Sequence, residues 1–307
     1  MNRFISSSIL IASLTLGHFS SIIAEESKKK EATKAESKSE IATWDVNNPP
    51  GEAYLANIDV TQGTWMNVTL SPDGKTIAFD LLGDIYTLPI KGGEAKAITH
   101  SIAWEMQPQF SPDGKQLAFT SDQGGADNIW TMDIDGTNQH QVTKEKFRLL
   151  NSPTWSPDGD YIAAHKHFTS SRSIGSGEIW LYHKVGGAGL QLNEKPNKQK
   201  DLGEPSFSPD GKKVYFSRDS TPGGIFEYSK DSNSVIYEIF SIDRSNGKIK
   251  REVSDMGGSV RPTPSPDGKY LAFVRRIRNQ SSLFIKDLVS PVINGPFFTK
   301  DFTTGQK

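Results

Sequence analysis

The chain of 307 residues contains no cysteine. Without thiols it can form neither a disulfide framework nor a thiolate zinc site. Its charges are nearly balanced, because 35 Lys and Arg residues face 36 Asp and Glu residues, and the formal net charge is −1. Such a chain has no overall positive field that would attract nucleic acid. The composition therefore predicts neither a disulfide-stapled domain nor a nucleic-acid partner.

Long apolar runs are scarce as well. One apolar stretch stands near the amino terminus, where Phe4 to Leu16 follows the positively charged Arg3 and a small-residue exit follows at Ala24. The stretch is shorter than the roughly 20 apolar residues of a membrane-spanning helix. This pattern is typical of a cleaved export signal rather than an uncleaved anchor. We therefore expect a signal peptide over residues 1–24 and a periplasmic or secreted protein without a membrane span after cleavage.

Residues 25–43 consist mainly of Lys, Glu, Ser and Ala and contain no aromatic side chain. A segment of this composition cannot bury enough apolar surface to order itself. We interpret it as a disordered charged linker that tethers the globular part of the chain.

Four residues, Ser-Pro-Asp-Gly, recur five times at spacings of roughly 40 to 60 residues, a period typical of propellers and solenoids. In each copy the proline presets the φ angle of a type I turn, and the glycine supplies the positive φ that closes a short hairpin. An alternating strand follows every copy, as Thr76 to Phe79 follows the first. The five copies begin at Ser71, Ser111, Ser156, Ser208 and Ser265.

Each repeat contains four predicted strands. One ends just before the turn, a second follows it, a third opens with a triplet such as Asn128-Ile129-Trp130, and a fourth follows a glycine turn. Four strands in some 40 residues are the content of one propeller blade. The sequence therefore predicts an all-β fold, a β-propeller of four-stranded antiparallel blades over residues 44–290.

The fifth repeat departs from this pattern. Its fourth strand is expected to be absent or degenerate, and residues 291–307 are expected to form an irregular tail. The alternating segment Tyr54 to Val60 is a candidate for closing the ring, because propellers commonly pair a strand from one terminus into the last blade. It either closes a five-bladed ring or pairs with further blades. We favour the second interpretation, in which five repeats form an incomplete ring of a six- or seven-bladed propeller.

The repeat from Gln107 to Asp133 resembles the TolB-type, WD-like propeller repeat. Three other stretches resemble more narrowly the propeller that precedes the catalytic barrel of exported amidohydrolase-family proteins. These stretches are Trp44 to Gly51, Gly63 to Asn67 with Phe79 to Tyr86, and Lys166 to Arg172. The resemblance implies a protein or peptide partner, or a covalently attached catalytic domain. The divalent metal of such proteins belongs to the barrel, so no cofactor is expected in this chain.

The long loops of the repeats are predicted to lie on one face. In an antiparallel blade the Ser-Pro-Asp-Gly turns share one end, and the loops between the second and third strands share the other end with the links between blades. We call this second end the loop face, and insertions collected there commonly mark a working surface. The channel mouth on this face is predicted to bind a peptide end or a small polar ligand, the alternative being the polar, wet mouth of any propeller. Its lining residues are predicted to be Asn67, Gln107, Ser152, Glu204 and Arg261.

His165 and His167 stand one residue apart, so their side chains point to the same side of a strand. A catalytic zinc site needs three protein ligands, and the sequence identifies no third ligand near them. We interpret them as structural or surface residues and predict no metal site. His167 and Arg172 are candidates on the loop face for anchoring a long loop or meeting a partner. The basic run Arg275-Arg276-Ile277-Arg278 is interpreted as a solvated strand end.

These observations predict an exported, non-catalytic propeller module that binds a protein or peptide, or gates substrate for an attached amidohydrolase-like barrel. A free-standing TolB-like interaction propeller is the alternative, and part of a hydrolase or peptidase is the second alternative. No catalytic residue is assigned, because the sequence has neither a Gly-x-Ser-x-Gly elbow nor a Gly-rich phosphate loop.

Overall fold

The computed structural model describes residues 45–297 except 53, 55, 148, 170–174, 196, 225–230, 232, 278–279 and 291. The predicted signal peptide, the predicted linker and Arg172 lie outside the described residues. The compact unit presented below begins at Val46. Within the described residues no helix is long and apolar enough to cross a membrane.

The described regular elements are twenty strands in five four-stranded sheets, each antiparallel and ordered as in the chain. We number the sheets as blades one to five. Blade one contains β1 (Val68–Leu70), β2 (Thr76–Leu81), β3 (Asp84–Pro89) and β4 (Lys96–Ala97); blade two β5 (Glu105–Phe110), β6 (Gln116–Ser121), β7 (Asn128–Asp133) and β8 (His140–Gln141); blade three β9 (Leu149–Trp155), β10 (Tyr161–Thr169), β11 (Gly175–His183) and β12 (Leu190–Gln191); blade four β13 (Leu202–Phe207), β14 (Lys213–Asp219), β15 (Tyr237–Asp243) and β16 (Ile249–Val253); and blade five β17 (Val260–Pro264), β18 (Tyr270–Ile277), β19 (Gln280–Asp287) and β20 (Ile293–Phe297). The prediction of an all-β propeller with five four-stranded repeats is confirmed.

Every Ser-Pro-Asp-Gly copy forms the same turn between the first and second strands of its blade. In the first copy the Ser71 hydroxyl donates to Asp73 Oδ1 at 2.6 Å and accepts the N–H of Thr76 at 2.9 Å. The glycines have φ between 69° and 74°, a left-handed conformation that costs glycine little. The turns of successive blades also touch, because the position of a Cβ on Gly114 is 3.3 Å from the Pro72 ring. The motif therefore sets both the hairpin and the spacing between blades.

The hydrophobic core is divided into layers between consecutive blades. Between blades two and three, for example, Ala118 and Ile129 pack with Trp155 and Ile162. Comparable clusters join blades one and two, three and four, and four and five. One blade alone cannot bury both faces of its sheet, so each layer exists only because the next repeat covers it. Extensive strand contacts accordingly join each blade to the next, and among the described strands none of that extent joins blade five to blade one.

Blade five corrects two sequence predictions. Its fourth strand is present, because β20 pairs with β19 within the segment that was predicted to be an irregular tail. The segment Tyr54 to Val60 is not assigned to any strand at its described positions, and its Tyr54, Ile58 and Val60 side chains are exposed. Blade five thus supplies all four strands from contiguous sequence, and no closing strand is needed to complete it.

The outer faces of the first and last blades are apolar. In blade one Val68 and Leu70 are 65% and 50% exposed, whereas Trp155, which occupies the position of Leu70 in blade three, is only 7% exposed. On blade five an open cavity of about 510 Å³ is lined by side chains that include Tyr270 and Ile285. Both surfaces correspond to faces that neighbouring blades cover elsewhere in the molecule.

Candidate functional site

Four of the five residues predicted at the channel mouth share an unusual backbone conformation. Gln107, Ser152, Glu204 and Arg261 have φ between 52° and 58°, each directly before a proline in the first strand of its blade. The pairing with the second strand shifts register at each of these places, which marks a β-bulge. Such conformations cost of order 1–3 kcal/mol each in non-glycine residues and persist where the surroundings hold them. Bulges of this kind re-aim a side chain or backbone group at a site.

Hydrogen bonds across blades one to three hold the first members of this set. The Asp80 carboxylate accepts the N–H of Asn67 at 2.7 Å, the Asn67 side-chain amide at 2.8 Å and the N–H of Gln107 at 2.7 Å. The Gln107 side chain in turn accepts the N–H of Ser152 at 2.6 Å and the Thr120 hydroxyl at 3.2 Å. The left-handed residue of one blade thus donates its backbone N–H to a side chain of the preceding blade.

Blades four and five repeat this arrangement with a charged pair. Glu204 Oε2 accepts the N–H of Arg261 at 2.8 Å, and the Arg261 guanidinium lies 3.3 Å from Glu204 Oε1. The Ser217 hydroxyl donates to the same Glu204 carboxylate at 2.7 Å. The structure therefore brings the predicted residues together in two runs, Asn67 to Ser152, in which Asp80 joins Asn67 to Gln107, and Glu204 to Arg261.

Sequence reasoning missed the polar partners in the second strands. Asp80, Thr120 and Ser217 each stand nine residues after the serine of their turn, in the second strand of their blade. In the same register position blade three has His165 and blade five has Val274. A polar residue recurring at one aligned position of a buried strand is the signal that would have found them.

His165 makes a different contact at the junction of blades three and four. Its Nδ1 lies 2.9 Å from Asn151 Oδ1, and because that oxygen only accepts, the bond places a hydrogen on Nδ1. The Nε2 atom of the neutral ring then carries a lone pair. It lies 3.2 Å from Asp201 Oδ1, just before β13, without the geometry of a hydrogen bond. The two atoms thus face each other at a junction where His165 is buried and Asp201 is half-buried.

His167 completes a cluster of three possible ligands. The ligand atoms of His165, His167 and Asp201 all lie within 4.8 Å of one another. Burial, opposed by the nearby Asp201 charge, lowers the pKa of His167 and so favours its neutral imidazole. Asp201 is thus a possible third ligand that the sequence did not identify. Asp201 is far away along the chain, and only the packing of blade four against blade three brings it close.

Aromatic and aliphatic side chains project from the loop face of blades one and two. Trp65 precedes β1 and is 100% exposed, Leu82 stands in the β2–β3 turn, and Trp104 precedes β5 and is 52% exposed. The Trp104 ring packs over Gly83, where an added Cβ would lie 3.0 Å from it, and its backbone N–H donates to Asp122 Oδ1 at 2.7 Å. Trp104 and Leu82 are neighbours through Gly83, and Trp65 stands on the segment before β1; we call these three exposed side chains the aromatic patch.

A buried carboxyl group adjoins this patch in the sequence. Glu105 is fully buried, and its Oε1 accepts the Ser101 hydroxyl at 3.0 Å. Burial raises the pKa of Glu105 above its ordinary value. The group is therefore less readily ionised than an exposed glutamate, which suits its place under the loop face.

Comparison with known proteins shows which family of propellers the repeats resemble. The family model of the TolB β-propeller domain matches residues 37–180. A TolB structure from Agrobacterium tumefaciens superposes with a TM-score of 0.62 over 75% of this chain and 79% of that one, at 20% identity. The repeats are of the TolB β-propeller type. The identity of this structural match supports the fold alone.

Two curated relatives extend the comparison. The propeller is 29% identical to the protein Atu1656 of Agrobacterium fabrum over 67% of this chain and 68% of that protein. It is 30% identical to the TolB homologue of Chlorobium chlorochromatii over 67% of this chain but only 44% of that protein. The chain thus spans less than half the length of this TolB homologue. The activities and partners of longer relatives are therefore not transferred to it as findings.

Proposed function

We propose that the chain is an exported, non-catalytic propeller module that holds a protein or peptide partner on its loop face. The observation that carries this proposal is the aromatic patch of Trp65, Leu82 and Trp104. Tryptophan is enriched among the residues that dominate binding energy, and it loses little conformational entropy when it is already packed. The Gly83 and Asp122 contacts hold Trp104 in this way before a partner arrives.

The proposal that this chain acts as a module of a larger assembly rests on its outer faces. Val68 and Leu70 on blade one, and the cavity beside Tyr270 on blade five, are apolar surfaces of a kind that other blades cover. Such surfaces on soluble proteins mark contacts with another structural unit. Further blades or a covalently attached domain are suitable covers. The resemblance to amidohydrolase-associated propellers makes a metal-dependent barrel our preferred attached domain, with its own metal.

Mutation of the aromatic patch tests the binding proposal. Wild-type chain, Trp65→Ala, Trp104→Ala and the control Ile134→Ala, which alters an exposed residue in the opposite β7–β8 turn, are used as baits in extracts of the source cells. A captured protein is then purified and titrated against each bait. Truncation of an anchoring tryptophan costs about 2 kcal/mol of binding free energy, which corresponds to a loss of about 30-fold in affinity. Equal affinity for the wild-type and both tryptophan variants would contradict the proposal.

Export is tested separately, so that its failure leaves the binding site untouched. Residues 1–24 are fused to an alkaline phosphatase that lacks its own signal and folds only where disulfides form. We expect active phosphatase outside the cytoplasm and a processed product whose amino terminus lies directly after Ala24. The matched control replaces Leu10 and Leu14 by Arg, which interrupts the apolar stretch. Equal activity of the two fusions would overturn the export proposal.

A further inference from the structure

We propose that His165, His167 and Asp201 bind a divalent first-row metal ion such as Zn²⁺ between blades three and four. The two imidazoles come from β10, and the carboxylate comes from the link that enters β13. Their ligand atoms lie within 4.8 Å of one another. Two histidines and one carboxylate are a ligand set used by zinc sites that keep a position open.

The spacing of the ligand atoms suits an ion. Ligands about 2.0–2.1 Å from a tetrahedral zinc ion lie about 3.3–3.4 Å from each other. His165 Nε2 and Asp201 Oδ1 are 3.2 Å apart. Asn151 Oδ1 accepts from His165 Nδ1, and His165 Nε2 meets the Asp201 carboxylate without a hydrogen bond between them. A cation between the two atoms satisfies both.

Asn151 supplies the support that metal-binding histidines need. Imidazole ligands generally donate their second N–H to a carbonyl or carboxylate, which fixes the ring orientation and its tautomer. The Asn151 side-chain oxygen, 2.9 Å from His165 Nδ1, provides this acceptor. Asn151 and His165 are also directly paired in the β9–β10 ladder, so the backbone holds the contact in place.

Two glycines make the room in which the imidazoles lie. A Cβ on Gly177 would stand 2.1 Å from His165 Nε2, and a Cβ on Gly175 would stand 1.9 Å from His167 Cε1. Glycine inside a strand weakens it and often marks a close approach by another group. Here both glycines occupy β11 directly beside the cluster. Their presence is explained by the two rings that they accommodate.

The electrostatic surroundings also favour a cation. The neighbouring Lys200 directs its ammonium group to the Thr221 hydroxyl at 2.6 Å and lies 3.9 Å from Asp219, so it is already paired. An ion here would link blades three and four, as the hydrogen bond from Gln107 to Asp80 links blades one and two.

Zinc titration of the full chain, purified without a polyhistidine tag, tests the proposal. We expect isothermal titration calorimetry to give one Zn²⁺ per chain and thermal melts to shift upward with Zn²⁺. Mn²⁺ is expected to bind more weakly and Mg²⁺ not at all, because imidazole ligands suit zinc better than magnesium. Binding is expected to weaken as the pH falls, because protons compete for the imidazoles.

Variants distinguish this site from non-specific zinc binding. His167→Ala and Asp201→Asn are each expected to weaken Zn²⁺ binding by more than about 10-fold, since even second-shell changes commonly cost that much. His140→Ala, an exposed histidine on β8, is the matched control and is expected to bind as the wild type does. Circular dichroism melts without metal confirm that the variants fold. The proposal is overturned if the folded wild-type chain binds no Zn²⁺, or if both ligand variants bind it as well as the wild type.

Discussion

At the scale of single residues, Asp80 connects the segment before β1 with blade two. Its buried carboxylate accepts three N–H donors, two from Asn67 and one from Gln107 of the next blade. We expect Asp80→Ala to lower the free energy of unfolding by about 3 kcal/mol, because removal of one partner leaves buried donors unsatisfied at about 1–3 kcal/mol each. Urea denaturation followed by tryptophan fluorescence measures the change.

The control for this prediction is Asp59→Ala, which removes the same group from an exposed position. Its effect is expected to stay within about 0.5 kcal/mol, as is usual for surface substitutions. If Asp80→Ala were as stable as Asp59→Ala, the hydrogen bonds around Asp80 would not be holding the left-handed backbone of Gln107.

Residue-level prediction from sequence worked for local chemistry and failed for contacts between repeats. Alignment on the turns placed Gln107, Ser152 and Glu204 at equivalent positions, and the structure gives all three the same backbone conformation. Their acceptors could not be identified, because the partner of each lies in another strand or another blade. Asp201 was missed for the same reason. Arg275 was interpreted as solvated, but it is buried. Its guanidinium group lies 2.9 Å from the carboxylate of Asp255, which stands in the link between β16 and β17.

At the scale of elements, the repeated turn makes a contribution to stability that depends on pH. In all five copies the hydrogen bond from the serine lowers the pKa of the aspartate carboxyl below its ordinary value of 3.8. A carboxyl whose pKa is lowered by folding adds stability above its unfolded pKa and loses it as the pH falls through the folded pKa. The turns therefore contribute to stability at neutral pH and lose that contribution in acid.

Ser156→Ala tests this behaviour in one turn. Ser156 is fully buried, donates to Asp158 at 2.5 Å and accepts the N–H of Tyr161 at 2.9 Å. We expect the variant to lose about 1–2 kcal/mol at pH 7. The difference from the wild type is expected to shrink as the pH falls from about 5 to about 2, because Asp158 then loses its charge in both proteins. Chemical denaturation at a series of pH values measures the difference.

Ser265→Ala is the matched change in the turn of blade five, where the same bonds are more exposed. Water can replace those bonds, so a smaller loss is expected there. A Ser156→Ala loss that did not vary with pH would show that the serine acts through packing and not through the Asp158 charge.

At the scale of the whole molecule, repetition explains both the success and the limit of fold prediction. The turn spacing predicted four-stranded blades because each repeat has the same local signals. Blade five was mispredicted because its β19–β20 connection contains Ser290 and its β20 contains a Gly295-Pro296 pair, so the local signals there are those of a loop. Tertiary pairing with β19 overrides them. Which faces remain uncovered depends on the number of blades that pack together, and a single repeat carries no such information.

The exposed face of blade one leads to the last prediction. The equivalents of Leu70 in blades three and four, Trp155 and Phe207, are buried against a preceding blade, whereas Leu70 has no preceding blade among the described residues. We expect the purified chain to associate as its concentration rises, because burying such apolar surface is favourable. Leu70→Lys is expected to reduce this association, and sedimentation velocity measures it. Ile90→Lys, an exposed residue beside the β3–β4 turn, is the control and is expected to associate as the wild type does. A charge at Leu70 adds a desolvation cost only if β1 is covered in the associated form. Equal association of Leu70→Lys and Ile90→Lys would therefore show that the contact lies elsewhere.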